Sequence, residues 1–436
     1  MAPAAKSWIA QSNDMDWIDE VVNERFDDLR VVVITLSESF SQAGYQLYLV
    51  GGVVRNALIA GESTTPDFDL TTDAPPDEIR ALVADIADAV WHQGERFGTV
   101  GVRIGEHTLE ITTHRSEAYV DHSRQPVVTF SADLDLDLVR RDFTVNAMAV
   151  NVADGVLHDP CNGQLDLEAG VLRTPLPAEE SFSDDPLRML RAARFVAGYS
   201  LEPAAGLVEA AARLSERLSV VSAERIQEEL RRLLMVDDPR PGLHLLVKMG
   251  LLERILPEIA ALDESRRNTA FDQVPLVWND PLVRLVALLL DLEPADVENR
   301  VRALRFSRQE AMTVVGLVRI MKKISSGPPG GSWSAENVRR LAVDSGALLG
   351  VAVDLAAVLH RDIGGLAVAV EQSVTLGDLE DLGPALDGDQ VMAALALDPG
   401  PQVGEALAWL VDLRLREGKL SIEDAQGRLV DWWQSR

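Results

Sequence analysis

The sequence predicts an α+β protein, in which a small N-terminal head with a mixed sheet precedes an all-helical neck, body and tail. Two observations carry this. Up to about residue 113, short apolar stretches of strand character are interleaved with helical ones. From about Gly170 onward nearly every segment has the 3.6-residue helical period. The expected breaks are Pro241-Gly242, Pro257, Pro294, the loop Gly327-Pro328-Pro329-Gly330-Gly331, and Pro399-Gly400-Pro401.

Residues 15–44 read as a helix, with Val21, Val22, Phe26, Leu29, Val33 and Leu36 at helical spacing. Residues 45–50 form a short buried strand, and residues 53–60 a helix. Residues 68–70 form a strand, and residues 77–90 a helix opened by Pro75-Pro76. Residues 99–104 and 108–113 are two strands around the turn Gly105-Glu106.

The 436 residues exceed one core, so two to four domains are expected. Hydrophobic residues make up 47%, enough for sizeable cores. No apolar run of about 18 residues points to a membrane span. The N-terminus lacks the charged and apolar blocks of a signal peptide. Cys161 is the single cysteine, which excludes an internal disulfide framework and a cysteine-based zinc site. A cytoplasmic protein fits. The net charge of −28 argues against a generic nucleic-acid binder, unless clustered arginines face the ligand.

Three constellations carry chemistry. In the first, an apolar run ends at Gly51-Gly52, Arg55 follows, and Asp67-Phe68-Asp69 comes next. Residues i and i+2 of a strand share a side, so Asp67 and Asp69 face one pocket. Paired carboxylates repel unless a cation lies between them, and Mg²⁺ is commonly held by one or two carboxylates plus substrate phosphates. Glycines permit a tight turn and close backbone approach to phosphate. The combination suggests nucleotidyl transfer. Glu110, sharing a strand face with Thr112, is the third candidate carboxylate; the alternative is a solvent-facing strand glutamate.

In the second constellation Arg140 and Arg141 precede Asp142 and an apolar segment carrying Asn146. Arginine binds phosphate bidentately, and Asn146 could hold a ribose hydroxyl. The alternative makes Asp142 a helix N-cap. The third is Asp184-Asp185-Pro186-Leu187-Arg188, continuing to Arg191 and Arg194. Asp185 suits an N-cap. Arg188, Arg191 and Arg194 recur every three residues, moving about 60° around a helix per step, while Leu187 and Leu190 pack inward. Such a stripe suits a triphosphate or a nucleic-acid backbone. A carboxylate at Asp185 could accept from the exocyclic amine of a base.

In this order the three constellations resemble the class II tRNA nucleotidyltransferases, the family of CCA-adding enzymes and bacterial poly(A) polymerases. Residues 159–167 resemble the family's flexible element, and the segment around Glu224-Arg225 its neck helix. Residues 300–307, 381–397 and 429–436 resemble the actinobacterial branch, so the resemblance spans nearly the whole chain. It implies a head like the catalytic core of DNA polymerase beta, Mg²⁺ on Asp67 and Asp69, and nucleotide contacts from Gly52, Arg55 and Arg141. It implies that Asp185 and Arg188 pair with cytosine or adenine, and that Arg191 and Arg194 hold phosphates. CTP and ATP would be the donors and a tRNA 3′ end the acceptor, with no DNA partner.

The resemblance also implies four parts: a catalytic head over residues 1–170, a neck over 171–258, an HD-like body over 259–375 and a tail over 376–436. Two departures stand out. Asn56 replaces the family's usual aspartate after Val-Arg. Leu290-Asp291 occupies the place of an HD phosphohydrolase's His-Asp pair, and residues 262–280 contain no histidine. The body is therefore expected to be a remnant without hydrolase activity. His360-Arg361-Asp362 lies too late to substitute, and His360 is expected at an exposed helix end. One rival is a poly(A) polymerase or a partial CC- or A-adding enzyme, although the tail shows no basic extension. Another is a non-catalytic RNA-binding protein with a retained fold.

Overall fold

A computed structural model describes residues 27–59, 68–92, 98–118, 127–328, 331–362 and 364–436. The chain divides into two compact units, Met1–Ile255 and Leu256–Arg436.

The first unit begins with α1 (Asp27–Gln42), β1 (Leu47–Val50), α2 (Gly52–Leu58), β2 (Phe68–Thr72), α3 (Pro76–Val83), β3 (Ala89–His92), β4 (Thr99–Ile104) and β5 (His107–Thr113). An antiparallel pair follows, β6 (Arg115–Ala118) and β7 (Val127–Phe130), then α4 (Leu134–Val139), β8 (Ala149–Asn151) and β9 (Leu157–His158). Seven strands make one mixed sheet in the order β3-β4-β5-β2-β1-β8-β9. Within this sheet only β2 and β5 pair in parallel.

Strand β1 shows why the sheet holds together. Its side chains alternate faces, and both faces are covered. Leu47 and Leu49 join Leu36, Phe40, Ile79, Leu109 and Ile111 in the main core. Tyr48 and Val50 join Leu138, Ala147 and Ala149 on the other side. A strand buried on both faces reads as a continuous apolar run, which is how the sequence presents it.

Two expectations need correction. The helix expected over residues 77–90 stops at Val83, and residues 89–92 form the edge strand β3. There Trp91 lies opposite Gly101 of β4, where a Cβ would come within 2.3 Å of the indole. A glycine on the neighbouring strand thus admits the tryptophan, and the local periodicity of β3 does not report that. The first strand starts at Leu47 rather than residue 45. Of the helix expected over residues 15–44, residues 15–26 lie outside the described residues.

Next come α5 (Gly163–Glu168), β10 (Val171–Leu172), α6 (Ala178–Asp184), α7 (Leu187–Tyr199), β11 (Glu202–Pro203), α8 (Leu207–Leu214), α9 (Ala223–Leu234), α10 (Arg240–Lys248) and α11 (Leu252–Ile255). The short parallel pair β10–β11 interrupts the expected helical run. Ser222 caps α9 by accepting the Arg225 N–H. Pro241-Gly242 is no break: it lies in the first turn of α10. A Cβ at Gly242 would stand 2.5 Å from the Ala193 carbonyl oxygen, so glycine lets α10 press against α7.

Among the described residues, every regular element of the second unit is helical. Pro257, Pro294 and Pro401 open helices rather than merely separating them. Ser307 with Glu310 and Asp387 with Gln390 form complete capping boxes. One helical run, Ala335–Val358, is long and apolar enough by composition to cross a membrane, which the sequence reading did not single out. In this unit it is broken by a 3₁₀ turn at Gly346–Leu348, and Val338, Leu341, Ala352 and Leu355 are buried.

Candidate functional site

The turn after β1 places backbone at the centre of the site. Gly51 has φ 73° and ψ −127°, a conformation that a side chain strains. A Cβ there would come within 3.2 Å of Arg141 Nη1 and 4.0 Å of Asp69 Oδ2. Glycine at this position lets the chain pass close to a guanidinium and a carboxylate at once. Gly52 starts α2, whose Val53 and Val54 are buried and anchor the turn.

Asp69 lies on β2, directly across from Glu110 on β5 in the parallel ladder. Leu109 and Ile111 are fully buried, so Glu110 and Thr112 take the opposite face as expected, and Thr112 Oγ1 meets Thr99 Oγ1 at 3.0 Å. Asp67 lies outside the described residues. Among the described residues no group of three or more His, Cys, Asp or Glu side chains is arranged to hold a metal.

The arginines are fixed by buried acids. Asp137, on α4, is completely buried and pairs with Arg140 Nη2 at 2.6 Å and Arg141 Nη2 at 3.1 Å. Burial alone would raise its pKa; Arg141 and Arg140 outweigh that and bring it to about 2. Asp142 does not cap a helix: the 3₁₀ turn Thr144–Asn146 begins after Phe143. The Asp142 carboxylate accepts instead from Arg191 Nε at 2.8 Å, Arg191 Nη2 at 2.6 Å and Asn146 Nδ2 at 2.9 Å. Burial opposes its ionisation, but Arg191 and the Asn146 amide hold its pKa well below the usual range. Glu229, on α9, accepts from Arg191 Nη1 at 3.1 Å and Arg194 Nε at 2.9 Å. Burial opposes the Arg191 charge, yet Asp142 and Glu229 raise its pKa above the ordinary arginine value.

The stripe expected on α7 is therefore an internal network rather than an open basic face. Arg188 is buried, and donates to Ser181 Oγ at 2.8 Å and to the Arg140 carbonyl at 2.6 Å. Asp185 accepts the Leu187 N–H at 3.1 Å, a cap-like bond at the start of α7, and its second oxygen accepts from Arg225 Nη2 at 2.9 Å. Asn146 is occupied on both sides, donating to Asp142 and accepting from Arg55 Nη1. Arg55 stacks on Tyr199 with its guanidinium carbon 4.1 Å from the ring centroid, and also bonds the Tyr199 hydroxyl.

These groups enclose a cavity of about 450 Å³. Its wall includes Gly51, Gly52, Arg55, Asp69, Arg140, Arg141, Asp142, Asn146, Asp185, Arg188, Arg191 and Arg194. All the expected nucleotide-binding residues thus meet in one place, with eight arginines against three aspartates in the wall. That excess of positive charge answers the objection raised by the chain's net charge: the cations are clustered where an anion would sit. Glu110 is not part of the wall; it stands beside Asp69 on the neighbouring strand.

Sequence reasoning missed Asp137, Tyr199, Glu229 and Arg232 and did not count Arg225 as a site residue. Asp137 stands three and four positions before Arg140 and Arg141, a helical ion-pair spacing that could have flagged it. Glu229 and Tyr199 act across long stretches of chain and leave no such signal.

In the second unit, Leu290, Asp291, Lys322, Ser325 and Arg361 line a smaller cavity of about 300 Å³. The Asp291 carboxylate accepts from Arg361 Nη2 at 3.0 and 3.2 Å. His360 is exposed beyond a helix end with φ 53°, as expected.

Comparison with known proteins agrees with this geometry. A family model described as "Poly A polymerase head domain" matches residues 47–173. A second, "Probable RNA and SrmB- binding site of polymerase A", matches residues 200–262. The CCA-adding enzyme of Streptococcus pneumoniae is 32% identical over 388 residues, which cover 88% of this chain and 92% of that protein. The CCA-adding enzyme of Bacillus subtilis is 40% identical over 217 residues, 49% of this chain and 52% of the relative. The crystal structure of the Bacillus stearothermophilus CCA-adding enzyme in complex with CTP has the same fold, with a TM-score of 0.72 and 23% identity over 94% of this chain and 98% of that one. The chain belongs to the class II CCA-adding enzyme family.

Proposed function

We propose that this protein is a tRNA nucleotidyltransferase that adds C and A residues to tRNA 3′ ends from CTP and ATP, without a nucleic-acid template. The observation that supports it most is the single cavity that gathers the glycine turn, Asp69 and eight arginines. A nucleoside triphosphate is highly anionic, and a preorganised set of guanidinium groups holds it without reorganisation at the moment of reaction. The tRNA 3′ hydroxyl attacks the α-phosphate, a phosphodiester forms, the α–β bond breaks and pyrophosphate leaves.

Gly51 and Gly52 let the backbone approach the phosphates. Arg140, Arg141, Arg191 and Arg194 supply the positive field, and Asp137, Asp142 and Glu229 hold them in place. Asp185 and Arg188 read the base edge: the carboxylate accepts from the exocyclic amine that cytosine and adenine both carry. As nucleotidyltransferases, the relatives are metal-dependent in general. We assign the metal as Mg²⁺ on Asp67 and Asp69 with Glu110 alongside, since the Asp69–Glu110 register offers hard oxygen donors. When bound, it would lower the pKa of the attacking hydroxyl and stabilise charge on the departing pyrophosphate. The four-part division, with a helical neck, an HD-like remnant lacking hydrolase activity and a helical tail, completes the reading, and the substrate places it in the cytoplasm.

The test is extension of a tRNA ending at the discriminator base, given CTP alone, ATP alone, or both. Addition of two residues with CTP and of a third only when ATP is present supports the reading. Repeated addition with ATP alone marks a poly(A) polymerase, addition of C only or A only marks a partial enzyme, and no extension of any tRNA refutes the proposal.

A further inference from the structure

The eight arginines of the cavity differ in what neutralises them. Arg140 and Arg141 share Asp137, Arg191 and Arg194 share Glu229, Arg225 pairs with Asp185 and Arg232 with Glu228. Among the described residues, Arg55 and Arg188 have only neutral hydrogen-bond partners. For Arg55 one side chain decides this. Its Nε and Nη2 donate to the Asn56 amide oxygen at 3.2 and 2.9 Å, while Nη1 donates to the Asn146 amide oxygen and Nη2 to the Tyr199 hydroxyl. The residue is 5% exposed.

A buried cation with neutral partners is costly, and arginine does not shed its proton to escape the cost. Stacking on Tyr199 and Phe195 offsets part of it. Asp142 lies one amide away, because Asn146 bridges the two. The remaining positive charge is directed at the cavity, beside Gly52, where a Cβ would lie 3.5 Å from Arg55 Nη2.

We propose that Asn56 sets the affinity of the site for polyphosphate, because a neutral amide at this position leaves the Arg55 charge for the nucleotide's phosphates to balance. The inference rests on the nucleotide-site reading above. Four of the five Arg55 N–H bonds already go to protein, so Arg55 acts through its field rather than by adding a direct bond. The effect therefore falls on phosphates and is blind to the base.

The test is Asn56→Asp, an isosteric change that places a carboxylate against Arg55. Three results are expected. The ligand-free variant melts at or above the wild-type temperature, since the buried cation gains a counter-ion. Calorimetry shows pyrophosphate binding about tenfold more weakly, the scale of one opposite charge acting at contact range. The KM values for CTP and ATP rise by the same factor, and the binding penalty grows from CMP through CDP to CTP. Unchanged or tighter pyrophosphate binding, a penalty independent of phosphate number, a KM change for one nucleotide only, or a lower melting temperature would each overturn the inference. If the wild-type protein bound neither pyrophosphate nor CTP, the nucleotide-site reading itself would fail.

Discussion

Arg191 on α7 grips the Asp142 carboxylate through two nitrogens, at 2.6 and 2.8 Å, joining segments 49 residues apart. The pair ties the turn after α4 to the basic helix, and Glu229 takes the other side of the same guanidinium at 3.1 Å. Asp142→Asn keeps the shape but removes the charge from a well-buried pair. Such a change typically costs about 3 kcal/mol, because it strands part of the partner's charge. Urea denaturation is expected to show a midpoint shift of that size with an unchanged m-value, and the KM for both nucleotides should rise.

Asp137 makes the protein's stability acid-sensitive. Its carboxyl titrates at about 2 in the fold against an ordinary 3.8. The folded state holds this proton less tightly than the unfolded state, so stability rises with pH between the two values. The contribution is fully present above about pH 5 and is lost as pH falls through about 2; it amounts to about 2 kcal/mol. Asp137→Asn should flatten this limb of the stability–pH curve and lower stability at neutral pH.

His114 works in a neighbouring pH range. It is 1% exposed, and burial lowers its pKa from the ordinary 6.5 despite the nearby Asp137 and Asp73. A base with a depressed folded pKa stays neutral in the fold while the unfolded chain protonates. Its contribution is intact above about pH 6.5 and declines as pH falls from there toward the folded value. In His114→Phe the stability change between pH 7 and pH 5 should shrink relative to wild type, as measured by thermal melts across that range.

Gly51→Ala strains the turn and crowds Arg141 together. A side chain at φ 73° and ψ −127° costs about 1–3 kcal/mol, and its Cβ would sit 3.2 Å from Arg141 Nη1. Nucleotide KM should rise by about tenfold or more, more than in Gly105→Ala, where φ is 60° and no heavy atom lies within 4 Å of the added Cβ.

Much of the site was legible because its residues are local signals. The Gly51-Gly52 turn, the β2 carboxylate, Arg140-Arg141 and the α7 arginines each follow a short spacing rule, and all line one cavity with Asp69. What holds them was less legible. Glu229 reaches Arg191 over 38 residues and Arg194 over 35, and Tyr199 reaches Arg55 over 144. The Glu229 pairings exist only once α7 and α9 pack together, and the Tyr199 pairing only once α7 meets α2. The fold shows the same limit: β4 and β5 alternate plainly, whereas β3 depends on Trp91 fitting over Gly101 across the ladder. Pro241, Pro257, Pro294 and Pro401, expected at breaks, lie in the first turns of helices, since a missing N–H costs nothing there.

The central claim is that the strand carrying Asp69, beside Glu110, is where nucleotide is transferred. The most direct measurement is the rate of labelled CMP incorporation from CTP into tRNA lacking its 3′ CCA, compared between wild type and Asp67→Ala/Asp69→Ala. The account predicts extension by the wild-type protein and a fall of at least about a thousandfold in a double variant that still melts cooperatively. Incorporation near the wild-type rate in that folded variant would contradict it.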